Sequence, residues 1–93
     1  MKRQVYASVW DAIEDDRAVA ENMKARAELM AALTRAVRGW GGSQVAAAKR
    51  LDITQPRLND LLRGRIENFS LDALVNLCAA AGYRLALKMR KAA

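Results

Sequence analysis

Apolar residues recur along this chain at two different spacings. Val19, Met23, Met30, Leu33, Val37 and Trp40 follow one another at steps of three, four or seven. Such steps keep one face of an α-helix apolar. Asp15 and Asp16 are suited to cap this helix, which is predicted to run from about Arg17 to Arg38. Ahead of it, Ser8 with Asp11 three residues later forms a capping box and predicts a short helix over 9–14. Gly39 suits the position just beyond the long helix, and G-W-G-G-S marks a break.

Three short helices are predicted next, each opened by a hydroxyl residue. Ser43 caps 44–51, Thr54 caps 55–63 and Ser70 caps 71–81. Pro56 falls in a first helical turn, where its missing N–H has no role. Ile53 with Leu58, and Phe69 with Leu74, have the spacing of a hydrophobic staple. Gly64 and Gly82 end the last two helices. The period then drops to two. Tyr83, Leu85, Leu87 and Met89 alternate with Arg84, Ala86, Lys88 and Arg90, which predicts a half-buried strand. A lone strand needs a ladder partner. The expected partner is the same strand of a second copy, in a homodimer. The chain therefore reads as a mainly α bundle, with residues 1–16 as an N-terminal segment and 17–93 as one domain ending in a dimerisation strand.

Composition narrows the chemistry. The chain has 93 residues, 53% hydrophobic and 28% charged, enough for one core and too few for two. It has no His and one Cys. That excludes imidazole chemistry and an internal disulfide, and leaves almost nothing for a Cys/His zinc site. Cys78 lies in an apolar helix and reads as a small buried residue. Trp10 and Trp40 read as packing residues. The charge is +6, and the excess lies in the second half of the chain. Such an excess fits an acidic partner. No apolar run reaches the ~18 residues of a membrane span. No signal peptide is apparent, and with a free thiol this points to the cytoplasm.

Residues 43–64 are the most informative. Two short helices joined by about four residues cross steeply, and Ala47 and Ala48 are small enough for the contact. Leu51, Ile53, Leu58 and Leu61 would face inward. Gln44, Lys49, Gln55, Arg57, Asn59 and Asp60 would face outward. That is a helix-turn-helix, with its second helix presented to a DNA major groove.

Gln44, Ala48, Leu51, Ile53, Thr54-Gln55, Leu58 and Leu61 together resemble the XRE-type, phage-repressor-like regulators. The family usually has Gly in the turn where this chain has Asp52, a residue that tolerates left-handed backbone. More widely, V-W-D-A-I-E, A-R-A-E-L-M-A-A-L, T-Q-P-R-L-N-D-L-L-R-G, F-S-L-D-A-L and G-Y-R-L-A-L-K-M are similar to HigA-type antitoxins. The resemblance implies a lambda-repressor-like fold, an operator-bound homodimer and a small basic ribonuclease toxin as partner.

Each outward residue has an expected role. Gln55 has the groups to bond an adenine edge, and Arg57 to fork onto guanine or reach a phosphate. Asn59 is a third candidate for base contact. Ser43 and Gln44 lie at a helix N-terminus, which favours phosphate, and Thr54 opens the second helix in the same way. Arg63 and Arg65 flank Gly64 and are expected on the DNA backbone. Asp60 fits three roles: accepting from cytosine N4, holding Arg57, or excluding phosphates. Lys49 and Arg50 read as solvated surface bases.

The expected function is a sequence-specific repressor of a palindromic operator, acting as the antitoxin of a toxin–antitoxin pair. It needs no cofactor, metal, membrane or catalysis. The near-neutral first 38 residues are the candidate toxin surface. A stand-alone regulator is the alternative. A small ribonuclease is remote, because a Gly-rich phosphate loop, paired acids and the strands for a rigid cleft are all missing. A non-DNA adaptor on the same scaffold is a third reading.

Overall fold

A computed structural model describes the backbone of residues 9–92 and the side chains of residues 16–92. Four α-helices follow in order: α1, Val9–Trp40; α2, Gln44–Leu51; α3, Gln55–Leu62; and α4, Leu71–Ala80, with a 3-10 turn at Ile66–Asn68 before the last.

The long helix departs from expectation at two places. No break separates 9–14 from 17–38, and Asp15 and Asp16 lie inside one continuous helix. An N-cap is needed only where amides lack carbonyls one turn back. Here the preceding turn supplies them, and no Gly or Pro interrupts the run. The Ser8 capping box lies outside the described residues. At the other end, the helix continues through Gly39 to Trp40. The reversal falls instead on Gly41 and Gly42, at φ 71° and 74°. Trp40 packs against the core, and the Arg50 guanidinium stacks 3.7 Å from its ring centroid. Those contacts hold the last turn of α1 past Gly39.

The three short helices share one construction. Ser43, Thr54 and Ser70 have extended backbone, and each hydroxyl oxygen accepts from the amide three residues on. Each helix closes on a left-handed residue: Asp52 at φ 58°, Gly64 at 72° and Gly82 at 89°. The amide after it reaches back five residues: Ile53 to the Ala48 carbonyl, Arg65 to Asp60 and Tyr83 to Cys78. That is the Schellman closure, which satisfies carbonyls left over at a helix end.

One core joins the elements. Met30, Leu33 and Val37 of α1 meet Ala47, Ala48 and Leu51 of α2, Leu58 and Leu61 of α3, Phe69, and Leu74, Leu77 and Cys78 of α4. No polar or charged residue is buried among the described residues. Burial pushes the Cys78 thiol up from its ordinary value. No described helix is long and apolar enough to cross a membrane. Residues 16–24 of α1 are exposed, so the helix projects beyond the core.

The strand expected at 83–90 is not present as a strand. Residues 83–92 form no regular element, and the described residues contain no β-ladder. A ladder needs a second extended segment, and every other described element is helical or a short turn. Of the alternating apolar residues, Leu85 is half-buried, while Leu87 and Met89 are 83% and 95% exposed.

The backbone angles give opposite signs for two glycines. Gly39 is helical with open space around its Cα, so Gly39→Ala should stabilise by about 0.5–1 kcal/mol. Gly42 sits at φ 74°, so Gly42→Ala should destabilise by about 1 kcal/mol. Thermal melts of the two variants test this: a lower melting temperature for Gly39→Ala would mean that α1 ends before Gly39.

Candidate nucleic-acid interface

The surface of interest begins at the turn joining α2 to α3. The Asp52 amide donates to the Ala48 and Lys49 carbonyls, and the Ile53 amide to Ala48 at 3.0 Å. Ala47 and Ala48 are buried, and Leu58 and Leu61 are 0% exposed beneath α3. One side of α3 is thus committed to the core. Gln55, Pro56, Asn59 and Arg63 remain exposed on the other.

The candidate residues divide by what already holds them. Gln55 and Asn59 are exposed and stand one helical turn apart, where neighbours on one face fall. Thr54 Oγ1 accepts from the Arg57 amide at 3.2 Å, and Ser43 Oγ from Ala46 at 3.1 Å. These hydroxyl oxygens work as caps, and each hydroxyl keeps a proton to donate. Gln44 is exposed at the first position of α2. Ser43 and Gln44 line a shallow cleft with Gly41, Gly42 and Arg38. A base is thereby set beside a helix N-terminus, an arrangement that suits a phosphate.

Arg57 is placed differently from expectation. Its guanidinium donates to the Asn68 carbonyl at 2.8 Å and stacks 4.0 Å from the Phe69 ring centroid. The side chain is half-buried and turned toward the chain itself. Asp60 does not hold it. One Asp60 oxygen accepts from the Asn68 side-chain amide at 3.4 Å, and the other lies 3.7 Å from Arg65 Nε. The Arg65 pair is long and partly exposed, hence weak, so Arg65 stays available for a phosphate. Arg63 caps α3 through its backbone and is exposed.

Three contributors were missed from sequence. Arg38 carried a signal, being a base in the last turn before the glycine break. Arg26 and Asn68 carried none, because their contacts join distant positions. Arg26 donates from α1 to the carbonyls of Ile66 and Phe69, both at 3.3 Å.

The arrangement is built on α2, α3 and the turn between them. It offers exposed amide side chains on a short helix, flanked by arginines and two capped helix starts. Comparison with known proteins places this surface in a lineage. A helix-turn-helix domain family matches residues 12–90. A solved structure described as an XRE-family transcriptional regulator superposes with a TM-score of 0.70 at 33% identity, covering 78% of this chain and 82% of that one. No curated protein matches. With the family match spanning most of its length and its α2–turn–α3 unit built as described, the chain belongs to the helix-turn-helix domain family.

Proposed function

We propose that this protein is a sequence-specific DNA-binding transcriptional repressor that acts by occupying an operator, without catalysis. The observation that carries the reading is α3 itself: one side is sealed into the core, and Gln55 and Asn59 are exposed together on the other. The helix-turn-helix family match and the XRE-family neighbour support DNA-binding regulation. Gln55 and Asn59 bond base edges. Ser43, Gln44, Thr54, Arg63 and Arg65, joined by Arg38, meet phosphates. A DNA ligand also accounts for the charge of +6, and the same role puts the protein in the cytoplasm.

The working unit is a homodimer paired through residues 83–90. The exposed Leu87 and Met89 support this, because burying them against a second copy gains apolar contact. An antiparallel pair of these segments satisfies both edges it joins. It presents two copies of α3 to successive major grooves, about 34 Å apart, and requires a palindromic operator. Tyr83 and Leu85 carry the same alternation toward the helices.

The finer reading is an antitoxin whose partner is a small basic ribonuclease. Supporting it are the resemblance to HigA-type chains and the exposed stretch of α1, where Val19 is 62% and Met23 37% exposed. A stand-alone XRE-type regulator shares every DNA contact and lacks only that partner. Pull-down with a toxin expressed from the neighbouring gene separates them. A chain starting near Asp16 keeps Val19 and Met23, so it should retain DNA binding and bind toxin more weakly; undiminished capture would move the toxin surface off the residues before Asp16.

Gln55→Ala should weaken operator binding by about 1–3 kcal/mol and relax preference at one position. Arg63→Ala and Arg65→Ala should lower affinity on all sequences alike, each reducing the salt slope by about one. Titrations on operator and scrambled duplex at several salt concentrations measure both effects. Equal losses on the two duplexes for Gln55→Ala would remove it as a base reader.

Leu87→Pro tests the dimer. Proline cannot donate to a ladder, and this position is exposed in the single chain. The variant should be a folded monomer with operator affinity sharply reduced. Light scattering that finds a dimer of unchanged affinity would sink the shared-strand arrangement.

A further inference from the structure

The segment between α3 and α4 is held by arginines from two directions. Arg26 of α1 donates to the Ile66 and Phe69 carbonyls. Arg57, in the first turn of α3, donates to the intervening Asn68 carbonyl. Its guanidinium also lies over Phe69, which is 1% exposed and fixed in the core. One turn further along α3, Asp60 accepts from the Asn68 side chain. Carbonyls at 66, 68 and 69 thus all accept from guanidinium groups, and α3 is tied to this segment at both of its turns. Beyond these ties, the eight-residue helix is held by Leu58, Leu61 and the half-buried Leu62, and by the Thr34 hydroxyl, which donates to the Leu61 carbonyl at 3.5 Å; apart from Leu58, those contacts lie in its last turn.

We infer that Arg57 is a positioning residue of the DNA surface, fixing the rotation of α3 rather than contacting a base. The inference rests on the DNA-binding reading above. A guanidinium already stacked on a buried ring and bonded to a carbonyl gives up both contacts to fork onto guanine. Each charge-assisted bond of this kind carries much of a side chain's net contribution. Discrimination among bases then falls to Gln55 and Asn59, held at the angle that Arg57 sets. Rotation of α3 moves both readers at once, so loss of the tie blurs every position of the operator together.

The test uses the full chain and a duplex enriched by the wild type from a randomised pool. Arg57→Ala should bind it about tenfold more weakly, the scale of one charge-assisted bond. Preference should flatten across all base pairs, and the salt slope should be unchanged. Arg57→Lys, which keeps a donor and a charge above the ring, should recover most of the loss. Phe69→Leu removes the ring without altering the outer surface, and should give the same flattened profile as Arg57→Ala. Preference lost at a single base pair in Arg57→Ala would overturn the inference in favour of direct reading. A salt slope lower by about one would overturn it in favour of a phosphate contact. Phe69→Leu with a wild-type profile would overturn it as well; if that variant loses its helical circular dichroism, the Arg57→Ala profile decides. A wild type that enriches no duplex would overturn the DNA-binding reading and this inference with it.

Discussion

Three residues, Asp52 to Thr54, must turn the chain from α2 into α3 while keeping both helices on one core. The constraint is steric before it is chemical. Two helices so closely joined touch near their ends, and Ala47 and Ala48 admit the approach because they end at Cβ. Asp52 adopts the left-handed backbone that lets the Ile53 amide reach back to Ala48. Thr54 then restarts the helix with its own hydroxyl. The place of α3 on the core starts from this turn, and the Arg57 and Asp60 contacts with the 66–69 segment complete it.

Among the described residues nothing polar is buried, while Val19, Val45, Leu87 and Met89 leave apolar side chains on the surface. The interior supplies position and the surface supplies chemistry. Where polar groups do stabilise, they act at the rim: caps on α2, α3 and α4, and arginines over the 66–69 segment. Each rim contact costs little desolvation, because its partners keep some access to water.

Local signals were legible in the sequence and long-range ones were not. Ser43, Thr54 and Ser70 announced their helices because an N-cap involves only the next three residues. Asp52 was legible for a similar reason, since a left-handed turn is a property of one residue. Asp15 and Asp16 misled because the same side chains serve as caps or as helix interior, and only the preceding turn decides. Gly39 misled because the packing of Trp40, set by Arg50 ten positions later, outweighs a helix-weakening residue. Arg57 was correctly placed on α3, but its direction depends on Asn68 and Phe69, eleven and twelve residues on. The alternation at 83–90 reports which side chains want burial. It does not say against what, and the described residues of a single chain hold no second extended segment to answer.

The length of α1 gives the molecule a gradient of opening free energies. Its residues from Met30 onward cannot unfold without exposing the core. The side-chain bonds of residues 16–24 stay within α1, Glu21 with Lys24 and Asn22 and Met23 with Arg26, and the rest of their hold is helix propagation, which gains little per residue in water. Amide exchange should therefore be fast at that end and approach the global limit near Leu33. A protease would find its first site there, and a cut would leave the core and the α2–α3 pair intact. The lifetime of the projecting end is thus separable from the lifetime of the DNA-facing body.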